Sequence, residues 1–304
     1  MVLKLNKENK CSMYMSIAIA DKKLFHVYCC RAYNSAEKRV PYDFVKNHMD
    51  EYLESTIGTD FIVKEVFPIG YCIKTQEKNI CSDKIEVSKL RGISLGTLTK
   101  CNYKCPNCTI RSDKKSGLTE EEEIDLTSEI ILGLKKYKNI DNLQISNRGE
   151  ISSYKNIDKI VEAIIKNENI KFVNILTNGS NCENLQKIIN LLNEKNIKVE
   201  VNLSFYSLNE KIYKKLTNQD RLKDVLYTID NLSNCDITIC YLLFKENINE
   251  FENILNFVKE KNKKIYVAPN MYDEDMHKKL IELKKKYNDE KIIFEGSEAK
   301  IWKL

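Results

Sequence analysis

Three cysteines stand within eight residues of one another: Cys101, Cys105 and Cys108, spaced C-x3-C-x2-C in the stretch TLTKCNYKCPNCTIRS. Thiols this close together suit a metal. A structural zinc site takes four ligands, commonly as two pairs. The next cysteine, Cys182, lies far downstream, and His26, His48 and His277 are scattered. A disulfide would use two thiols and strand the third. A [4Fe–4S] cluster is normally held by four thiolates. Three would leave one iron open, and an open coordination position is where a substrate or cofactor can react. Zinc, or a structural cluster with a distant fourth cysteine, is the plain alternative.

The other cysteines carry weaker signals. Cys29, Cys30, Cys72 and Cys81 could hold an auxiliary cluster, although free cysteine is more often a small buried apolar residue. Cys29 and Cys30 are adjacent, so on a strand they point to opposite faces. Cys235 and Cys240 lie around a strand, where one of them could serve as a hydrogen-atom donor; core packing is the plain reading.

The elements that must position the triplet begin at residue 91. RGISLGTLT reads as a strand, and TEEEEIDLTSEIILGLKKYK as a helix with Thr119 as N-cap and acids in its first turn. DNLQIS, KFVNILTNG, KVEVNLSFYS, DITICYLLF, KKIYVAPN and KIIFEG read as further strands, with helical spacing between each pair. Asn178-Gly179 marks a turn after the third strand. This alternation predicts a parallel sheet with crossover helices. Eight units would close a barrel; six predict an α/β fold with a partial (β/α)6 TIM-like barrel over residues 91–304. Ligands of such sheets bind at the carboxyl ends of the strands, and the triplet follows the first strand. Residues 1–90 lack the rhythm. Two strands around ADKK, a helix over YDFVKNHMDEYLESTIG and two later strands predict a small N-terminal α+β accessory domain for substrate recognition.

Composition narrows the function classes. The chain has 304 residues and a net charge of +5 with lysines spread throughout, which gives no nucleic-acid footprint. No stretch approaches the roughly 18 apolar residues of a membrane span. The apolar run MYMSIAIA is short and continues into a second strand, so it is expected to be a hairpin rather than a secretory signal. Eleven cysteines, an odd number, suit free thiols and metal in the cytoplasm better than a disulfide framework.

With C-x3-C-x2-C after the first strand of a (β/α)6 chain, residues 91–304 resemble the radical S-adenosylmethionine (SAM) superfamily. The resemblance implies that Cys101, Cys105 and Cys108 hold a [4Fe–4S] cluster whose open iron is chelated by the amino and carboxylate groups of SAM. It implies an electron donor such as flavodoxin or ferredoxin. Reductive cleavage of SAM would give methionine and a 5′-deoxyadenosyl radical that abstracts hydrogen from substrate. The second strand leads to Arg148-Gly149-Glu150, where the family usually has Gly-Gly-Glu holding the SAM ammonium. Gly149 allows close backbone approach and Glu150 supplies an acceptor. Asn202 and Ser204 alternate on the fourth strand and so share a face; they read as partners for the SAM carboxylate or ribose hydroxyls. Asn107 stands where the family commonly places an aromatic residue near the adenine, so that contact is arranged differently.

The expected function is a radical SAM enzyme acting on a substrate, with a ribosomally made peptide as the first expectation. A small metabolite (nucleotide, sugar or amino acid) and a glycyl-radical-enzyme activase are the alternatives. The non-enzyme rival is an iron–sulfur or zinc sensor or binding protein. No substrate-side catalytic residue stands out.

Overall fold

The computed structural model describes residues 4–5, 11–12, 14–27, 39–57, 61–62, 84–85, 90–108, 115–145, 148–270, 273–287, 289 and 291–294. After the short antiparallel pair Lys4–Leu5 and Cys11–Ser12 comes a hairpin, β1 (Tyr14–Ala20) and β2 (Lys23–Val27), then a short strand β3 (Val40–Pro41) and helices α1 (Tyr42–Asn47) and α2 (Met49–Ile57). The β–α alternation follows: β4 (Gly92–Gly96), α3 (Glu120–Gly133), β5 (Asn142–Ile145), α4 (Asp158–Lys166), β6 (Phe172–Thr177), α5 (Cys182–Asn193) and β7 (Lys198–Phe205). Next come α6 (Glu210–Thr217), α7 (Leu222–Asn231), β8 (Asp236–Leu243), α8 (Phe251–Glu260), β9 (Lys264–Pro269), α9 (Glu274–Lys286) and β10 (Ile292–Phe294).

All the main strands share one ten-stranded sheet, in the order β10-β9-β8-β7-β6-β5-β4-β1-β2-β3. From β10 to β1 every pairing is parallel; β2 and β3 add antiparallel strands at the edge. The sheet is not closed, in line with six β–α units rather than eight.

The strands alternate strictly between two faces. Ile93, Leu143, Val173, Val199, Ile237 and Ile265 lie on one face, all at most 5% exposed. The helices bury apolar stripes there: α5 offers Leu185, Ile188, Ile189 and Leu192, spaced at helical period. The opposite face is polar. In register across it run Ser94, Gln144, Asn174 and Glu200. Ser94, Gln144, Asn174, Glu200 and Thr238 of this face are buried, while Lys198, Asp236 and Lys264 at the amino ends of β7, β8 and β9 are exposed. Towards the carboxyl ends Leu176, Asn202, Ser204, Cys240, Leu242 and Tyr266 are only half-buried, which leaves a basin open at that end.

The N-terminal segment departs most from expectation. Its hairpin extends the barrel sheet, with β1 parallel to β4 from Tyr14–Gly92 to Ala18–Gly96. Met15, Ile17 and Ile19 enter the same core as Ile93 and Leu95. The single helix expected over 42–58 is two, broken at His48, whose backbone leaves helical geometry and whose ring stacks on Phe44. α6 and α7 are likewise separate, because Asn218 turns left-handed at the end of α6. Cys29, Cys30, Cys72 and Cys81, and most of the two later N-terminal strands, lie outside the described residues.

Candidate active site

The cysteine loop leaves β4 at Gly96 and is fastened before its first thiol. Glu123 lies on the inward face of α3, 2% exposed. It accepts from the Thr99 backbone N–H (3.0 Å) and from the hydroxyls of Thr99, Ser116 and Tyr154. Tyr154 also accepts from the Lys100 N–H (2.9 Å). α3 starts where it does because Thr119 and Glu122 form a capping box. Sequence reasoning took Glu123 only as a first-turn acid. The missed signal was a carboxylate at the head of the inward stripe Thr127, Ile130 and Ile131, a place a charge occupies only when it is paired or hydrogen-bonded.

The three thiols sit in one loop. Tyr103 N–H donates to Cys101 Sγ (3.3 Å), and Cys108 N–H to the Cys105 carbonyl (3.1 Å). Cys101 is exposed at its surface, yet the protein around its sulfur raises its pKa to about 11, with the charges of Glu150 and Cys108 adding to burial. Cys105 is pushed up to about 12 by burial and by Cys108 and Cys101. Such thiols stay neutral at pH 7 unless a cation holds them as thiolates. Among the described residues no three of His, Cys, Asp or Glu converge tightly enough for one bare metal ion. A cubane offers each thiolate its own iron and accepts wider spacing. The donor set, three thiols with no histidine or carboxylate in the stretch TLTKCNYKCPNCTIRS, fits a cluster that keeps one iron open.

Asn178 and Asn102 join this loop to the end of β6. Asn178 Nδ2 donates to Asn102 Oδ1 (2.8 Å) and lies 3.9 Å from Cys101 Sγ, while Asn102 donates to Ser180 (2.8 Å). Gly179, at φ 70°, makes the turn possible.

Glu150 is 1% exposed. Its Oε1 accepts from the Ser152 N–H (3.0 Å), the Ser152 hydroxyl (2.6 Å) and the Thr177 hydroxyl (2.8 Å); its Oε2 accepts from the Asn178 N–H (2.6 Å). Burial raises its pKa, opposed by these four donors. Among the described residues no basic side chain forms an ion pair with it. A buried carboxylate of this kind can take a cation's charge. Gly149 does make a close approach, but to backbone: a Cβ there would lie 2.6 Å from the Lys100 carbonyl oxygen and 2.7 Å from that of Leu98.

Asn202 and Ser204 share the basin, as their spacing predicts. Asn202 donates to Asn174 (2.7 Å) and accepts the Cys240 S–H at 3.7 Å; Asn174 also accepts from Gln144 (3.2 Å), which accepts from Ser94 (2.7 Å). Cys240 faces the basin with its thiol raised to about 12 by burial; Cys235 precedes β8, at the other end of that strand. Asn107 is exposed at the Pro106–Asn107 turn. An unforeseen aromatic, Tyr206, is half-buried against Tyr213 and Phe244. Burial and then the charges of Cys105, Cys108 and Cys101 raise its phenol, which marks it as a neighbour of the cysteine loop.

Residues 96–258 match the family described as the radical SAM superfamily. The chain is 28% identical over 179 residues to a protein named probable GTP 3′,8-cyclase from Methanocaldococcus jannaschii, covering 57% of this chain and 56% of that one. A protein of the same name from Sulfurisphaera tokodaii is 27% identical over 172 residues, covering 54% and 51%. The chain thus matches just over half the length of these curated relatives. Among solved structures it is similar to Streptococcus suis SuiB bound to S-adenosylmethionine, with a TM-score of 0.48 at 13% identity, covering 96% of this chain and 72% of that chain.

Proposed function

The chain belongs to the radical SAM superfamily, and from that premise we propose that Cys101, Cys105 and Cys108 hold its [4Fe–4S] cluster and that Glu150 receives the ammonium of SAM. It is an enzyme whose cofactors are that cluster and SAM. When bound, the cluster supplies the electron for cleaving SAM to methionine and the 5′-deoxyadenosyl radical that takes hydrogen from substrate. This chain's residues do the holding. The Glu123 network fixes the start of the cysteine loop, Asn178 and Asn102 tie Cys101 to β6, and the cage of four donors around Glu150 opposes the effect of burial and aims its carboxylate. Asn202 and Ser204, on the basin side of β7, are the partners for the SAM carboxylate or ribose, and Asn107 is the loop residue beside the adenine.

One observation carries the substrate reading. None of the half-buried basin residues on β6–β9 (Leu176, Asn202, Ser204, Cys240, Leu242 and Tyr266) is basic; the lysines of that face, Lys198 and Lys264, are exposed at the amino ends of β7 and β9. The polar groups among these half-buried residues are an amide, hydroxyls and a thiol, and Glu200, which accepts from the Thr238 hydroxyl (3.0 Å), lies at the floor. Amide groups complement other amides, donor to acceptor, and offer little to a polyphosphate. The substrate is therefore an uncharged, amide-bearing one, a peptide first. Residues 1–90 contribute to its recognition, the electron comes from a flavodoxin or ferredoxin, and the enzyme works in the cytoplasm, where thiols stay reduced. No helix among the described residues is long and apolar enough to cross a membrane. A small nucleotide substrate is the second reading, favoured by the name the two relatives share.

The test is anaerobic reconstitution followed by measurement of 5′-deoxyadenosine with dithionite, in the presence of neutral peptides or of GTP. Peptides should raise 5′-deoxyadenosine formation and lose hydrogen by mass. Stimulation by GTP alone would replace the peptide reading with the nucleotide one. Absence of any SAM cleavage would sink the enzyme assignment of this site.

A further inference from the structure

Arg148 occupies the position where the resemblance expects glycine, and its side chain runs to the N-terminal hairpin. Nη1 donates to the Ile19 carbonyl oxygen in β1 (2.8 Å). The guanidinium carbon lies 5.6 Å from the centroid of the Phe25 ring in β2. Arg148 is only 9% exposed and Phe25 6%. The next two residues belong to the cofactor loop: Gly149 is wedged against the Leu98 and Lys100 carbonyls, and Glu150 N–H donates to the Lys100 carbonyl (2.9 Å).

The hairpin is held at a second point. Its turn residues Asp21 and Lys22 both have positive φ (48° and 55°). Asp21 N–H donates to the Lys115 carbonyl (2.9 Å) and Lys22 N–H to that of Ser116 (2.6 Å). A Cβ on Gly117 would lie 3.1 Å from Lys22 Cγ. Ser116 is one of the donors to Glu123, which fixes Thr99 two residues before Cys101. The hairpin therefore touches both ends of the site: the segment closing the cysteine loop and the segment carrying Glu150.

We propose that the hairpin of residues 14–27 is a wall of the cofactor site, and that Arg148 is the positioning residue tying it to the Gly149–Glu150 loop, so that SAM affinity depends on a contact with residues N-terminal to the β–α repeat. The proposal rests on Glu150 as the ammonium acceptor. A hydrogen bond from a buried guanidinium is costly to break, because the charge would be left without that acceptor. Loop and hairpin consequently move as one piece. If the loop is released, the Glu150 cage is formed only part of the time, and apparent affinity falls by that fraction: a cage formed one-tenth of the time raises the apparent Kd about tenfold.

The experiment uses the full-length, cluster-loaded protein and three variants: Arg148→Met, Arg148→Lys and Phe25→Leu. SAM binding is read by anaerobic calorimetry, and backbone exchange by deuterium uptake with and without the cluster. Arg148→Met should raise the SAM Kd roughly tenfold with iron content unchanged. Deuterium uptake should rise together in β1 and at Ser152 and Asn178, the backbone donors to Glu150. In turnover, KM for SAM should rise more than kcat falls. Arg148→Lys, which keeps a cationic donor for Ile19, should recover part of the affinity. Should Arg148→Met fail to fold, Phe25→Leu carries the test, with a smaller rise in Kd and the same linked exchange. A parental Kd in the folded variants, or faster exchange confined to the hairpin, overturns the proposal. Parental SAM affinity in Glu150→Gln would instead sink the ammonium reading on which it rests.

Discussion

Glu150→Gln is the sharpest single change available at this site. Alanine would leave the Ser152, Thr177 and Asn178 donors without an acceptor and confuse binding with folding. Glutamine keeps the volume. Its carbonyl oxygen can serve the three donors now on Oε1, and its NH2 then faces the Asn178 N–H, donor to donor. That mismatch costs about 1–3 kcal/mol, offset in the SAM-free protein because a buried, unpaired charge is gone. SAM loses a charge-assisted hydrogen bond worth about 1.5–3 kcal/mol, or roughly 10- to 150-fold in Kd.

The pH dependence supplies a second readout. Burial raises the Glu150 carboxyl above its ordinary 4.5, so the folded protein holds this proton more tightly than the unfolded chain. The linked stability is present below the unfolded value and is lost as pH rises through the folded one. SAM needs the anion, so its affinity should run the opposite way, falling as pH drops through the raised pKa. Glu150→Gln should flatten both trends. Calorimetry over a pH series, with iron content as control, measures them. A variant that binds SAM within twofold of the parent at neutral pH would refute the assignment of Glu150.

Changing Cys101, Cys105 and Cys108 together to Ala should abolish the SAM-responsive electron-paramagnetic signal and the binding of about four irons; a signal surviving in the triple variant would move the cluster elsewhere. Gly149→Ala should lower the thermal midpoint and weaken SAM binding together, because its Cβ must displace the Lys100 and Leu98 carbonyls at 2.6 and 2.7 Å, a strain of about 1–3 kcal/mol; an unchanged midpoint would mean the loop can yield. Thr119→Ala should cost about 1 kcal/mol in a denaturant titration through loss of the cap on α3, with SAM affinity kept; a comparable loss of affinity would place α3's first turn inside the site.

The sequence by itself determined what local rules determine. The β–α period, the Thr119 capping box, the Asn178-Gly179 turn and the shared face of Asn202 and Ser204 follow from side-chain periodicity and backbone preference over a few residues. The thiol spacing Cys101, Cys105, Cys108 announces its chemistry because one loop carries all three ligands. Tertiary structure decided what depends on segments distant in the chain. Nothing in Tyr14–Ala20 says that it pairs in parallel with Gly92–Gly96, since a short, largely apolar strand suits many partners until the core selects one. The same holds for Arg148: its sequence neighbours suggest a cofactor contact, whereas the folded chain brings Ile19 and Phe25 within its reach. Glu150 reads as an acceptor in the sequence, but its donors come from the turn after it and from the end of β6. That the half-buried part of the basin face is free of basic side chains, with Lys198 and Lys264 at its exposed amino ends, is likewise a property of several strand pairings taken together, because register decides which residues of a lysine-rich chain meet the substrate and which meet water.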